Sequence, residues 1–310
     1  MQIPYPSKAE LLACLPPELF SIKGLQAWGS LMLSLGLSLL AYGIGGLIPL
    51  RLWAAPLWLL YALITGTAAT GCWVIAHECG HGAFHPNRRV ESAVGFVLHS
   101  LLLVPYYTWQ RSHAVHHDNC NHLEGGETHV PPRAESWMGR VVAGTRRRLG
   151  PWPFGNLGVL LMLLALGLAA VQFSLARVLC VYGLPWLVGN AWLVGYTWLQ
   201  HTETDIPHVS SPEWTWAKGA LETVDHPYGP LLNLLHHGIG STHVCHHINP
   251  CIPHCNAWQA KALLRQRFPD LVRHDPTPVH RALWRVATRC SVVRQQAPGS
   301  GFFYLEPLAP

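Results

Sequence analysis

The sequence is poor in charge and lacks the cysteine motifs of disulfide scaffolds and haem attachment sites. Asp, Glu, Lys and Arg make up 12% of its 310 residues, against about 25% in soluble domains. Its nine cysteines include no Cys-x-x-Cys pair, which predicts free thiols in a reducing compartment. The net charge is only +5, and no long basic run interleaves with aromatic residues, so nucleic acid is not expected as a partner.

Four long stretches without any charged residue dominate the first two thirds of the chain. They cover residues 24–50, 52–76, 155–176 and 178–200, and crossing a bilayer takes about 20 residues. Half of the sequence is apolar and it contains 14 Trp, a residue enriched at membrane interfaces. No signal peptide is expected, because Lys8 and Glu10 precede the first apolar run. The pattern predicts an all-α, multi-pass integral membrane protein with four transmembrane helices.

The connections between these stretches predict which parts of the chain share a compartment. Only Arg51 separates the first two stretches and only Arg177 the last two, so both pairs are expected to form tight hairpins. Residues 77–154 and 201–310 then lie on the same side. They carry a series of basic residues: Arg111, Arg133, Arg140, Arg146, Arg147, Arg148, Lys218, Lys261, Arg265, Arg267 and Arg273. The positive-inside rule places both segments in the cytosol. The apolar stretch from Val94 to Tyr107 is short for a span, and we expect an interfacial or re-entrant helix there.

Histidine is abundant, with 20 residues, and many of them fall into three boxes. The first box has the pattern H-x-x-x-H, and the other two have the pattern H-x-x-H-H. Their histidines are His77 and His81, then His113, His116 and His117, then His243, His246 and His247. Residues four apart on a helix share a face. Eight imidazoles exceed what one tetrahedral zinc can use, so the boxes predict two first-row metal ions. Imidazole suits iron, zinc, copper and nickel alike.

Two zinc sites are alternative interpretations. His77 to His81 also matches H-E-x-x-H, in which Glu78 would be the base of an intramembrane zinc metalloprotease; that interpretation leaves the other two boxes unexplained. Cys251, His254 and Cys255 could hold zinc, but a four-ligand site needs a further partner.

With these motifs in view, the chain resembles the membrane fatty acid desaturases, most closely the oleate (Δ12, omega-6) type. Besides the boxes, the likeness rests on residues 101–106 before the second box and 196–202 after the last apolar stretch. Further segments with this likeness are 207–208, 213–214, 219–221, 223–225 and 252–254. The likeness covers most of the chain from about Ala76 to Gln266.

This resemblance implies one catalytic domain, residues 1–310, with a cytosolic histidine-rich helical cap that holds two Fe ions. It implies O2 as co-substrate, a fatty acyl lipid as substrate, and cytochrome b5 or ferredoxin as electron donor. The implied reaction introduces a cis double bond at Δ12. Omega-3 desaturation, or hydroxylation, acetylenation or epoxidation on the same scaffold, is the alternative. The implied membrane is the endoplasmic reticulum in a eukaryote, and the plasma or thylakoid membrane in a bacterium.

The resemblance also implies two residues outside the boxes. Related acyl-CoA desaturases place an Asn-x-x-x-His pair before the third box, where the histidine binds metal and the asparagine holds a metal-bound water. Asn233 and His237 match that spacing, so His237 is expected as a ninth metal ligand and the adjacent His236 as a neighbour. Glu78 could orient a metal-binding histidine from outside the metal's own ligands.

Overall fold

The computed structural model describes residues 4–126, 130–131, 133, 153–295 and 301–304. The predicted basic residues Arg140 and Arg146 to Arg148 lie outside this part of the chain. Within it, the structure is mostly helical. The helices are α1 Lys8–Ala13, α2 Gly24–Leu47, α3 Ala55–His81, α4 Arg88–Leu101, α5 Tyr106–Asp118, α6 Pro153–Phe173, α7 Leu175–Val178, α8 Leu184–His201, α9 Trp216–Leu221, α10 Gly229–Leu235, α11 His243–Ile248, α12 His254–Arg267 and α13 Val279–Arg289.

Among the described residues, four helical stretches are long and apolar enough to cross a membrane, as predicted. Span 1 is Gly24–Leu47, span 2 Leu52–His81, span 3 Asn156–Phe173 and span 4 Leu175–His201. Span 4 is made of α7, a π-helical turn at Leu179–Gly183 and α8. Span 2 extends five residues beyond the predicted end because α3 continues through the first histidine box. Gly82 ends this helix with a φ of 81°, a conformation that costs glycine little.

The two hairpins meet at the end of the molecule away from the histidine boxes. The first turns at Arg51, as expected, and the second turns at Ser174, whose φ is 89°, rather than at Arg177. The Arg177 guanidinium donates to the Ile48 carbonyl oxygen at the end of span 1 (2.5 Å). It also lies 5.8 Å from the centre of the Trp58 ring. The predicted arginine therefore joins the two hairpins instead of forming the turn.

The predicted interfacial or re-entrant stretch is part of a bent pair of helices. The helix direction bends by 103° between α4 and α5, which is the geometry of a broken span or a re-entrant element. The loop at the bend is held by span 4, where the Trp186 indole donates to the Leu102 carbonyl oxygen (3.1 Å). Because of this bend, the second histidine box on α5 turns back toward the end of span 2.

Helices α1, α9, α11 and α12 form a cap over the histidine ends of the spans. Its apolar core joins α1, α9, α11 and α12 through residues such as Leu11, Leu221, Val244 and Leu264. One small sheet corrects the all-α prediction: strands Val293–Gln295 and Phe302–Tyr304 pair antiparallel, with Val293 opposite Tyr304.

Candidate metal centre

The first two boxes approach each other through a glycine. A Cβ at Gly80, inside the first box, would lie 2.6 Å from the Trp109 ring on α5, so only glycine allows this contact. Gln110 adds a hydrogen bond from its side-chain amide to the Gly80 carbonyl oxygen (2.8 Å). The Trp109 ring also stacks on His113, with 4.7 Å between ring centres. Gly80 weakens the helix by about 1 kcal/mol relative to Ala. The missing side chain allows α5 to pack directly on the first box.

A buried ion pair positions the third box. Asp225 is fully buried and accepts a hydrogen bond from the Val244 backbone nitrogen at the start of α11 (3.0 Å). Its carboxylate also pairs with the Lys261 ammonium on α12 (3.0 Å), which donates in turn to the Ser241 carbonyl oxygen (2.6 Å). A negative charge at a helix N-terminus is favourable. Asp225 therefore fixes the start of the six-residue helix that carries His243, His246 and His247.

The three boxes converge on two adjacent clusters of possible metal ligands. Within each cluster, all ligand atoms lie within 4.8 Å of one another. The first cluster contains His77, His81, His113, His117 and His246, and the second contains His116, Cys120, His201 and His247. His243 joins the second cluster, since its Nε2 lies 3.0 Å from Nε2 of His201. Eight of the nine predicted histidine ligands are thus brought together among the described residues.

The nitrogen-to-nitrogen distances suit shared metal ions. Nε2 of His113 lies 2.8 Å from Nε2 of His77 and 3.2 Å from Nε2 of His117. In the second cluster, Nε2 of His116 and Nε2 of His201 are 3.2 Å apart. An imidazole nitrogen binds a first-row metal at about 2.0–2.1 Å, so two ligands of one ion are about 3.0–3.4 Å apart.

The protonation of these rings also fits metal binding. Burial, reinforced by the neighbouring imidazoles, holds the pKa of His113, His117, His246 and His247 well below the usual value. The rings are therefore neutral and offer a lone pair. Several buried ring nitrogens have no hydrogen-bond partner, among them Nε2 of His81, Nε2 of His246 and both nitrogens of His247. A buried polar atom without a partner is costly, and a metal ion at each cluster would remove that cost.

His201 is the cluster member that the sequence interpretation missed. It is the last residue of span 4 and is fully buried. Cys120 Sγ lies 3.5 Å from its Nδ1. Nε2 of His201 faces the cluster, so in the metal-binding tautomer Nδ1 carries the ring proton and donates it to this sulfur, which orients the ring. Burial raises the pKa of the Cys120 thiol, so the sulfur keeps its own proton. His201 does lie in the segment 196–202 that resembles the desaturases. It ends a span just as His81 does, but it belongs to no repeated box.

The predicted pair Asn233 and His237 belongs to neither cluster. Nε2 of His237 lies 2.8 Å from Ser34 Oγ on span 1, and its ring packs on His254. The Asn233 side-chain oxygen accepts from Ser241 Oγ (2.9 Å). The structure therefore does not bring His237 into either cluster.

Both ring nitrogens of the neighbouring His236 are occupied by protein groups. Nδ1 lies 2.7 Å from the Tyr196 hydroxyl and Nε2 2.8 Å from the Thr67 carbonyl oxygen. His236 is thus a neighbour of His237 with no nitrogen left for a metal.

Glu78 points away from the clusters, toward the segment that follows the third box. Its carboxylate accepts from the backbone nitrogen of His254 (2.6 Å) and from Nδ1 of the same residue (2.7 Å). Burial by itself would lower the pKa of His254, but the Glu78 carboxylate more than offsets this and raises it. Glu78 therefore ties the first box to the start of α12. This engagement argues against Glu78 as a protease base and against His254 as a zinc ligand beside Cys251 and Cys255.

A cavity opens beside the clusters and continues between the spans. The main chamber has a volume of about 240 Å³. Its wall includes the cluster histidines His77, His113, His116, His201 and His243 and the apolar residues Trp73, Val74, Leu193 and Ile239. Thr70, Trp73 and Leu193 also line a narrow extension that runs to Tyr42, Trp186 and Gly189. An apolar chain in this cavity would thus pass directly beside the imidazoles.

The fold and the site define a class of protein: a mostly helical protein with four candidate membrane spans and two adjacent histidine clusters that could hold metal ions, beside an apolar cavity. The model of the family described as fatty acid desaturase matches residues 53–277, and the chain belongs to this family of oxidoreductases. This match confirms the resemblance seen in the sequence.

Curated relatives agree with this placement. The chain is 34% identical to a Δ12 fatty acid desaturase of Vernicia fordii, over 92% of this chain and 86% of that protein. It is 33% identical to a Δ12 acyl-lipid desaturase of Punica granatum, over 96% and 89%. An oleoyl 12-hydroxylase of Ricinus communis is 34% identical, over 95% and 89%.

Proposed function

We propose that the chain is an O2-dependent fatty acyl desaturase that introduces a cis double bond at Δ12, with two iron ions held by nine histidines. The observation that carries this proposal is the pair of neutral imidazole clusters beside an apolar cavity. The proposed ligands are His77, His81, His113, His116, His117, His201, His243, His246 and His247, with His201 in the place first given to His237. Two irons held by these histidines would supply O2 activation for the removal of two hydrogens from adjacent methylenes, with two electrons from the external donor and two protons completing the reduction of O2 to two waters.

The protein's own residues bind and orient the acyl chain. The apolar side chains of Trp73, Val74, Leu193 and Ile239 exclude water from the chamber. The rings of His77, His113 and His116 form the wall of the chamber that lies next to the proposed metal ions. The acyl chain would run past the clusters into the extension at Gly189. We take residues 1–310 as one catalytic domain, an interpretation supported by the one cap and the one histidine-rich centre found among the described residues.

The surroundings of the site follow from the charge pattern and the relatives. Lys218, Lys261, Arg265 and Arg273 lie in the cap, so by the positive-inside rule the centre would face the cytosol. The Δ12 position is taken from the relatives named as Δ12 desaturases. Cytochrome b5 or ferredoxin would supply electrons from outside the chain. Hydroxylation is the second candidate, because a relative of equal identity is named an oleoyl 12-hydroxylase.

Expression in a host that makes oleate but no linoleate tests the proposed function. We expect a cis dienoic fatty acid with a new Δ12 bond in the fatty acid profile, and none with the His113→Ala variant. The purified enzyme should contain close to two irons per chain. A 12-hydroxy acid in place of the diene would establish the second candidate. Active enzyme with a single zinc would contradict the di-iron proposal.

The extension of the cavity is expected to limit acyl chain length. A Cβ at Gly189 would meet only the Gly66 carbonyl oxygen at 3.7 Å and Thr70 Oγ1 at 3.8 Å. The first side-chain carbon of Gly189→Leu therefore fits, and we expect the rest of the side chain to narrow the extension. We expect turnover of an 18-carbon substrate to fall by at least about tenfold relative to a 16-carbon one, since a single methylene in an apolar pocket is worth about 10–200-fold. Competition between the two substrates measures this ratio.

Gly167→Leu is the matched control for this change. Gly167 lies on span 3, and a Cβ at this position would meet no atom within 4 Å, so its substitution should leave the ratio unchanged. An unchanged ratio in Gly189→Leu as well would place the end of the acyl chain elsewhere.

A further inference from the structure

Residues 226–241 form a loop whose two ends meet at the cap. The His226 backbone nitrogen donates to the Gly240 carbonyl oxygen (3.1 Å), and Ser241 Oγ donates to the His226 carbonyl oxygen (2.8 Å). Between these ends lies α10, followed by a turn in which His237 and Gly238 have φ values of 52° and 74°. From the charge pattern alone, this loop was expected in the cytosol with the rest of 201–310.

The tip of the loop contacts span 2 far from its histidine end. Nε2 of His236 lies 2.8 Å from the Thr67 carbonyl oxygen. Thr67 lies fourteen residues before His81, which is about 21 Å along a helix that rises about 1.5 Å per residue. A Cβ at Gly71, one turn further along span 2, would lie 2.4 Å from the Leu235 carbonyl oxygen. The glycine therefore makes room for the loop's backbone against the middle of the span.

Two other spans hold the same tip. The Tyr196 hydroxyl of span 4 lies 2.7 Å from Nδ1 of His236, and the Trp192 ring packs edge-on against that imidazole. Ser34, near the middle of span 1, lies 2.8 Å from Nε2 of His237. The tip thus contacts the middle of spans 1 and 2, the part of each span that a hydrocarbon layer about 30 Å thick would enclose.

The composition of the loop suits that depth. No Asp, Glu, Lys or Arg occurs between Pro227 and Thr242. Leu231 and Leu234 on α10 are 65% and 58% exposed, although they belong to a helix attached to the apolar part of the spans. The polar groups at the tip are paired with Thr67, Tyr196 and Ser34, as required for irregular backbone at membrane depth.

We propose that residues 226–241 re-enter the bilayer, with the tip seated among spans 1, 2 and 4 and with Leu231 and Leu234 facing lipid acyl chains. The loop closes the side of the chamber beside the metal clusters. Ile239 lines that chamber, and its carbonyl oxygen accepts from the Gln200 side chain (3.0 Å). In this arrangement His236 and His237 are the groups that anchor the loop.

Spin labels on the full-length protein in nanodiscs test the proposal without reference to activity. The labels are placed at Leu231→Cys and Leu234→Cys, with the exposed Cys251 replaced by serine and the labelled position verified by peptide mass spectrometry. We expect high relaxation by O2 and low relaxation by a water-soluble nickel chelate, as for a control label at the lipid-facing Leu164 of span 3. A label at the exposed Thr288 of α13 should show the opposite pattern. Chelate accessibility at Leu231 and Leu234 equal to that at Thr288 would overturn the proposal.

A second variant tests the seat of the tip. Gly71→Val places a side chain where the Leu235 carbonyl oxygen lies, so it should displace the loop and raise the chelate accessibility of the Leu234 label several-fold. Gly43→Val on span 1 is the control, because a Cβ there meets no atom within 4 Å. Unchanged accessibility in Gly71→Val would show that the tip does not rest on span 2. Both measurements report the position of the loop and are independent of the reaction that the enzyme catalyses.

Discussion

His201→Ala is expected to reduce the iron content from about two to about one ion per chain and to abolish turnover. Nε2 of His201 lies 3.2 Å from Nε2 of His116 and 3.0 Å from Nε2 of His243, so its loss removes one corner of the second cluster. Loss of groups that only orient a ligand costs about 10–100-fold in metal affinity or activity, and loss of the ligand itself should cost more. Elemental analysis of reduced, purified protein and product analysis measure the two effects.

His237→Ala is the matched comparison. His237 has the Asn-x-x-x-His spacing of a metal ligand in related desaturases, but in this structure it lies outside both clusters. The variant should keep both irons, since the His237 ring bonds Ser34 and belongs to neither cluster. Any loss of activity in His237→Ala should come only from weaker anchoring of the loop at residues 226–241, which lines the chamber. If His237→Ala lost an iron and His201→Ala kept both, the proposed ligand set would be wrong.

Asp225→Ala is expected to lower the free energy of unfolding by about 3–5 kcal/mol, the usual cost of leaving one member of a buried ion pair without its partner. Lys261 would keep a buried ammonium, and the backbone nitrogen of Val244 would lose its acceptor. Since α11 starts at this point, the third box should also bind less iron. Thermal or chemical unfolding in detergent, together with metal analysis, measures both consequences.

Two controls separate the ion pair from general effects of charge removal. The double variant Asp225→Ala with Lys261→Met should recover much of the lost stability, because it leaves no unpaired buried charge. Asp205→Ala removes a carboxylate that pairs with Arg273 but is 69% exposed, and exposed pairs contribute about 0–1 kcal/mol. Equal losses in Asp225→Ala and Asp205→Ala would contradict the role given to the buried pair.

The amino-acid sequence alone determined the spans and the three boxes. Residues 52–76 contain no charge over the length of a bilayer, so the membrane interior is the environment that suits them best. The structure continues this span by about one turn through His77 and His81. The i, i+4 spacing within each box also fixes which histidines share a helical face, whatever the rest of the fold does. These features depend on neighbours in sequence, which is why they could be predicted without a structure.

Tertiary packing decided which further histidines reach the clusters and where the loop after span 4 lies. His201 and His237 differ little as sequence signals, since neither belongs to a repeated box: His201 ends a span, and His237 lies shortly before the third box. His201 is carried into the second cluster because span 4 packs against span 2. The turn at His237 and Gly238 carries His237 to Ser34 on span 1. Such contacts join residues far apart in the chain, as Gly80 and Trp109 do, and their energy depends on the simultaneous fit of several helices rather than on any local pattern.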